Sequence, residues 1–430
     1  MKRRIFLIII VLCGVILCFS GVFLFLHSAF HGSEVQLPFQ GNYLSYHDGF
    51  YTEGEGDVFR YYNQEKKFIG EYPLISSLQK EDGSYDYSSL HFTSSLAPFT
   101  DISNLVGVID AEGNEVLPAQ YESVTILDSN LFLVSSAMNY AFLDRAGNQV
   151  GASSFQTVEE VGTAFLVSVD GLYGIVGHDG NYLLEPTYQI ILPLVDGDNV
   201  FFQASNGADN QYFLLQDGVL TSCSPLSFKN VIAFSDNILY YTDLEGKIHL
   251  YDTRKEEDRS LTGSYVALKP FESGLALVVN EDGLAGYINE EEEMVIPYAY
   301  SSTQAGDFTS DGLAVVGNNG YFGVIDTNEE EVLPLEYLGI QILDTDHFLV
   351  LDQNNVIKLL NKAKKDLLTD SYLSVDLVED APYLLVSKGK MVGLIDYEGK
   401  VLLKPEYQQI KVEEGSLFYQ KENVWYQREL

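Results

Sequence analysis

The sequence predicts an all-β repeat array, propeller-like, with about 36 residues and four strands per unit, preceded by an amino-terminal transmembrane helix. Three observations carry this expectation. A glycine-led hairpin recurs along the chain, polar or glycine-bearing turns separate short apolar runs, and one uncharged stretch of membrane length lies near the start. The chain has 430 residues, 25 Lys plus Arg against 62 Asp plus Glu, a net charge of −37 and 46% hydrophobic residues, including 29 Tyr and 25 Phe. It is apolar enough to build a large core. Its acidity argues against nucleic acid as a partner, because that binding depends on Lys and Arg releasing counterions from phosphates. Cys13 and Cys18 fall in the apolar stretch, which leaves Cys223 unpaired and rules out a disulfide framework.

Lys2, Arg3 and Arg4 precede the uncharged run Ile5 to Leu26. As a helix this run would reach roughly 33 Å, enough for a hydrocarbon core of about 30 Å. Residues 1–4 therefore read as a basic cytoplasmic tail, 5–26 as a signal-anchor helix, 27–40 as a juxtamembrane stalk and 41–430 as the extracellular repeat domain. The alternative is secretion after signal cleavage, but the apolar run is long for a signal peptide and Ser28-Ala29 is a poor cleavage site.

In the repeat, glycine opens an apolar strand that ends in Asp or Asn, and a turn and second strand lead to Pro and Tyr. Clear copies start at Gly107 (with Asp110 and Gly113), Gly174, Gly286, Gly323 (with Asp326) and Gly393 (with Asp396 and Gly399). Degenerate copies at Ala141, Phe213, His249 and Lys358 keep the period, and a faint one lies at Arg60. The aspartates read as turn-formers, since an Asp side chain accepts from turn N–H groups and glycine supplies the positive φ of a tight hairpin. About ten units from 41 to 425 exceed the usual four to eight blades of a propeller. A propeller-like array is still preferred to an open β superhelix on strands per unit. The stretch Leu359 to Leu368 carries three lysines and could form a helical turn, although a repeat hairpin is due there.

These residues resemble the bacterial WG repeat family, named for a Trp-Gly pair in the first hairpin strand. Phe271-Glu-Ser-Gly274-Leu275-Ala276, ahead of Gly286, and Phe308 to Ala314, ahead of Gly323, are similar to its aromatic-x-x-Gly-Leu-Ala element. The copies are divergent: Val106, Tyr173, Ala285, Phe322 or Val392 precedes the glycine, and the single tryptophan, Trp425, reads as lying outside the motif. The resemblance implies a β-repeat protein and brings no catalytic residues with it.

Chemistry is sparse. Of seven histidines only His27 and His31 have i, i+4 spacing, and they lack the acidic partner of a zinc-protease helix. No Cys-x-x-Cys, G-x-S-x-G or Walker-type loop occurs. No cofactor is expected; calcium is the one ion weighed, at Asp196, Asp198 and Asn199 or at Asp344, Asp346 and His347, against the ordinary role of such residues in turns. The acidic runs at Glu290, Glu291 and Glu292 and at Glu329 and Glu330 occupy the same turn of successive units, and read as solubilising charges or as a docking rim for a basic partner. The favoured function is a non-enzymatic, membrane-anchored module that binds a protein or cell-envelope ligand. The alternatives are a carbohydrate-processing enzyme with paired carboxylates and a regulatory ectodomain of a membrane complex.

Overall fold

The computed structural model describes residues 34–80, 83–137, 139–151, 154–207, 210–223 and 229–430. The tail 1–4, the anchor 5–26 and stalk residues 27–33 lie outside the described residues. Among those described, no helix is long and apolar enough to cross a membrane. They form forty β-strands and one three-residue 3-10 turn, Ser76–Leu78.

The strands fall into eleven antiparallel sheets, seven of four strands and four of three. In chain order these are blade 1 (43–73), blade 2 (96–121), blade 3 (123–144), blade 4 (157–188), blade 5 (190–222), blade 6 (230–260), blade 7 (267–301), blade 8 (313–337), blade 9 (339–361), blade 10 (374–407) and blade 11 (409–429). Eleven is one more than the expected ten units. The unit not counted is blade 11, which is completed by a strand from the other end of the described chain.

Each blade is a meander, and apolar side chains of one sheet pack onto the next. Leu96, Val108 and Leu117 of blade 2 meet Phe132, Val134 and Leu143 of blade 3, all nearly inaccessible to solvent. First strands of neighbouring blades lie side by side, as Ile190–Asp196 does with Asn230–Ser235 and that strand with Ala267–Glu272. They line the inner wall of the array. The stretch around Leu359 is the strand Ile357–Asn361 followed by a tight turn, and not a helical turn.

The repeat glycine has a steric cause. In blade 10, Gly393 sits in the third strand, where the fourth strand slips register between Val392 and Leu394. A Cβ there would lie 2.7 Å from the Leu403 carbonyl oxygen and 2.8 Å from the Pro405 nitrogen. The proline that follows gives the strand no N–H for the ladder, which suits a bulge. Gly107, Gly174, Gly286 and Gly323 meet the same crowding, each from the backbone of the last strand of its own sheet.

The array closes. Val35–Gln36 supplies the fourth strand of blade 11, with Val35 opposite Gln427 and Gln36 opposite Tyr426. Residues 34–40, expected as part of the stalk, are thus built into the ring, and Leu37 and Phe39 are buried at its joint with blade 1. Trp425 also corrects its reading. Gln420 pairs with Trp425 in blade 11 as Ser387 pairs with Val392 in blade 10, so the tryptophan stands in the repeat's own tryptophan position. Tyr426 replaces the glycine, and its partner strand Val35–Gln36 pairs without a register shift.

Candidate ligand site at the ring closure

The closure joint is densely hydrogen-bonded. The indole N–H of fully buried Trp425 donates to the Gly41 carbonyl at 2.9 Å, as does Gln420 Nε2 at 3.1 Å. The backbone N–H groups of Gln40 and Gly41 donate to the buried Glu53 carboxylate at 2.7 and 2.8 Å, and Tyr51 donates to Gln427 at 2.8 Å. Leu37, Phe39, Leu44, Tyr51, Phe418 and Trp425 form one apolar cluster across the joint. Burial of six large side chains favours closure at roughly 1.5–3 kcal/mol for each one taken from water.

Beside the joint, the first hairpins of blades 1, 10 and 11 surround a cavity of about 760 Å³. Its walls hold Tyr43, Ser45, Tyr46, His47 and His91 on one side, and Glu379, Asp380, Tyr383, Glu413 and Glu414 on the other. Two of the four carboxylates have internal partners. Glu413 accepts from the Tyr46 backbone N–H at 2.7 Å and stands 3.7 Å from the Lys411 ammonium. Glu414 accepts from the Asp48 N–H at 2.7 Å and lies 3.2 Å from His47 Nδ1. Glu379 and Asp380 lie exposed on a turn.

Burial sets the electrostatics here. It pushes the Glu413 carboxyl up from its ordinary value, against the attraction of Lys411, and pulls the Lys411 ammonium down. Lys411 compensates by donating to the Leu44 carbonyl at 2.6 Å and by lying 3.9 Å from the centre of the Tyr43 ring. His91 is held below the ordinary histidine value, first by burial and then by His47, whose ring centre is 4.6 Å away. Ser45, 8% exposed, lines this wall; its hydroxyl makes no hydrogen bond of ordinary length and angle, though it lowers the Tyr43 pKa against the effect of burial.

The residues singled out by sequence lie elsewhere. Asp110 Oδ1 accepts from the N–H groups of Glu112 and Asn114 at 3.0 and 2.8 Å, Asp326 from Asn328 and Glu330 at 2.9 Å each, and Asp396 from Lys400 at 2.8 Å. Gly113 and Gly399 close these turns with φ of 83° and 74°. A Cβ at either position would run into the segment before its blade, at Ile69 for Gly113 and at Leu367 for Gly399. In the acidic copies Glu292 and Glu329 fill that position, with φ of 63° and 65°. Glu292 reaches back to accept from Thr262 N, Thr262 Oγ1 and Gly263 N at 2.7, 2.9 and 3.1 Å. Glu329 faces the Tyr300 hydroxyl, whose pKa is raised by burial first and then by that carboxylate. Glu290, Glu291 and Glu330 remain exposed on the rim.

Both calcium candidates are engaged in turns or between blades. Asp196 accepts from the Asp236 N–H at 2.6 Å, and Asp344 from Asp346 N, His347 N and His347 Nδ1. No group of three or more His, Cys, Asp or Glu placed to hold a metal occurs among the described residues. The closure cavity was not foreseen, because its residues come from sequence positions 43–47, 91, 379–383 and 412–415 and meet only when the ends of the chain join. Trp425, in the tryptophan position, was the one signal that could have marked the joint.

Three stretches, 107–136, 286–322 and 393–425, match the family described as WG containing repeat. Each runs from the penultimate strand of one blade into the next, so one sequence repeat staples two neighbouring sheets. No curated protein sequence matches the chain. Among solved structures, a eukaryotic initiation factor is 11% identical over 78% of this chain and 98% of its own, with a TM-score of 0.38. BamB from Moraxella catarrhalis is 12% identical over 92% and 98%, with a TM-score of 0.28. Hsv2 from Kluyvelomyces marxianus is 11% identical over 53% and 87%, with a TM-score of 0.30. Scores this low carry no argument about what the chain does. The three repeat matches, each beginning at a glycine crowded by the following strand of its own sheet, show that these stretches are WG-type repeats.

Proposed function

We propose that the protein is a non-enzymatic interaction module, held outside the cell membrane by residues 5–26, whose propeller-like ring presents a broad face and the closure cavity to a protein or cell-envelope ligand. One observation carries the reading. The aspartates and glycines that the repeat keeps are used in turns and between blades, while a cavity that gathers polar groups from three blades lies at the joint of the ring. The full-length chain should therefore capture a discrete partner from solubilised membranes, and an added protease should reach the ring on intact cells. Failure to capture any saturable partner would refute the module; protection of the ring until cells are lysed would refute the placement.

A carbohydrate-processing reading draws on the four carboxylates and three tyrosines of the same cavity. Glu413, its pKa raised by burial, has the property of a general acid, but its carboxylate already serves the Tyr46 N–H and Lys411. Cleavage of a panel of glycan substrates that Glu413→Gln abolishes would establish that reading and displace the module.

A further inference from the structure

We propose that the closure cavity binds a primary ammonium group carried on a flexible chain, such as a lysine side chain of the partner. The inference rests on the interaction-module reading and names the chemistry of its ligand. Four carboxylates line the cavity. Within reach of them, one lysine, Lys411, offsets part of the Glu413 charge, and His47 faces Glu414, while Glu379 and Asp380 carry exposed negative charge.

The walls add what an ammonium group needs beyond charge. Tyr43, Tyr46 and Tyr383 offer aromatic faces, and Lys411 already shows an ammonium group 3.9 Å from the centre of the Tyr43 ring. The Ser45 hydroxyl, buried and without a hydrogen bond of ordinary length and angle, has an oxygen lone pair to accept one N–H. His91, which burial and then His47 push toward its neutral form, lines the same cavity and offers a ring nitrogen as a second acceptor. An unpaired buried hydroxyl costs about 1–3 kcal/mol, a cost that a ligand N–H would relieve. An arriving ammonium group also gains from the long-range field of a chain of net charge −37.

The test is calorimetric titration of the full-length chain, in an uncharged detergent, with acetyl-Gly-Lys-Gly-Lys-Gly amide, with its ε-acetylated counterpart, and with spermidine. The lysine peptide should bind at one site, and acetylation, which removes the charge but keeps the chain, should weaken it at least about tenfold, or about 1.4 kcal/mol. The pair Glu379→Gln and Asp380→Asn should weaken binding about fivefold or more without changing the unfolding midpoint. Ser45→Ala should weaken binding while leaving stability equal or higher, a combination that a purely structural role for the hydroxyl would not give. Charge reversal of Glu290, Glu291 and Glu330 should leave the affinity within about twofold, as expected for exposed charges on distant blades. Spermidine binding with these same dependences, in the absence of peptide binding, would keep the ammonium site and assign its source as a free polyamine. Absence of saturable binding by either probe, or loss that follows the rim variant and not the cavity variant, overturns the proposal. If a partner is still captured in that case, the module reading survives and the cavity assignment alone fails.

Discussion

Replacing Trp425 by alanine removes the side chain that fills the joint between the first and last blades. The indole is inaccessible to solvent, donates to the Gly41 carbonyl at 2.9 Å and packs among Leu37, Phe39, Leu44, Tyr51 and Phe418. Large-to-small changes of a buried Trp cost about 3–5 kcal/mol, a large share of the roughly 5–15 kcal/mol that holds a domain folded. The Gly41 carbonyl keeps a second donor, Gln420 Nε2, so Trp425→Phe should cost less, about 1–2 kcal/mol for a lost hydrogen bond and a small void. Val392, half-buried in the equivalent position of blade 10, provides the comparison, and Val392→Ala should cost about 1 kcal/mol. Urea unfolding followed by far-ultraviolet circular dichroism gives the midpoints. Hydrogen exchange of residues 35–47 and 424–429 shows whether the loss is local to the joint. If Trp425→Ala destabilises no more than Val392→Ala, or leaves exchange at the joint unchanged, the ring is not held closed by this side chain.

Gly393→Ala should destabilise by about 1–3 kcal/mol, because its Cβ would enter the backbone of the fourth strand, whereas Gly306→Ala, with its nearest contact at 3.4 Å, should be nearly neutral; equal midpoints would remove the steric explanation of the repeat glycine. Glu292→Gln keeps one acceptor oxygen and should cost less than Glu292→Ala, which frees three donors on Thr262 and Gly263; the order is read from thermal unfolding, and the reverse order contradicts the inter-blade role. His91 titrates below the ordinary histidine value in the folded chain, so the unfolded chain takes up its proton first, and stability is lost as the pH falls below about 6.5. His47 and Glu413 share the cavity, and Glu413, raised by burial, works in the opposite sense as the pH falls. The difference between wild type and His91→Gln should therefore be measured at each pH, and it should shrink from about pH 7.5 to about pH 5; a difference independent of pH refutes the assignment.

Much of the fold was legible because repetition multiplies a weak signal. A single Gly-x-Ile-Asp hairpin is unremarkable, but its return at Gly107, Gly323 and Gly393 marks the penultimate strand of a sheet, a turn and a bulged last strand each time. The turn role of Asp110 and Asp326 follows from local chemistry alone, in which an Asp oxygen accepts from N–H groups two and four residues on. The joint was harder to read. Residues 34–40 look like a linker because they hold too few residues to show a period, and their pairing partner lies almost four hundred residues away, as Val35 does from Gln427. Trp425 escaped because Tyr426 stands where the motif has glycine, a change that only an unbulged partner strand permits. The cavity at the joint depends on closure, and so no local pattern could announce it. Glu292 and Glu329 read as part of a charged rim, since sequence gives turn position but not the reach of a side chain to the neighbouring blade.

Closure itself is open to a direct chemical measurement. With Cys13, Cys18 and Cys223 replaced by serine, cysteines placed at Val35 and Gln427 would face each other across an antiparallel pair, within the Cα separations of about 4.4–6.8 Å that a disulfide spans. Mild oxidation should join residues 35 and 427 within one chain, at a yield independent of protein concentration, and raise the midpoint of unfolding. A control pair at Val35 and Lys388, on the second strand of the neighbouring blade, should not form. Chains that stay reduced at 35 and 427, or that join only to other chains, would show that the eleven sheets do not form a closed ring.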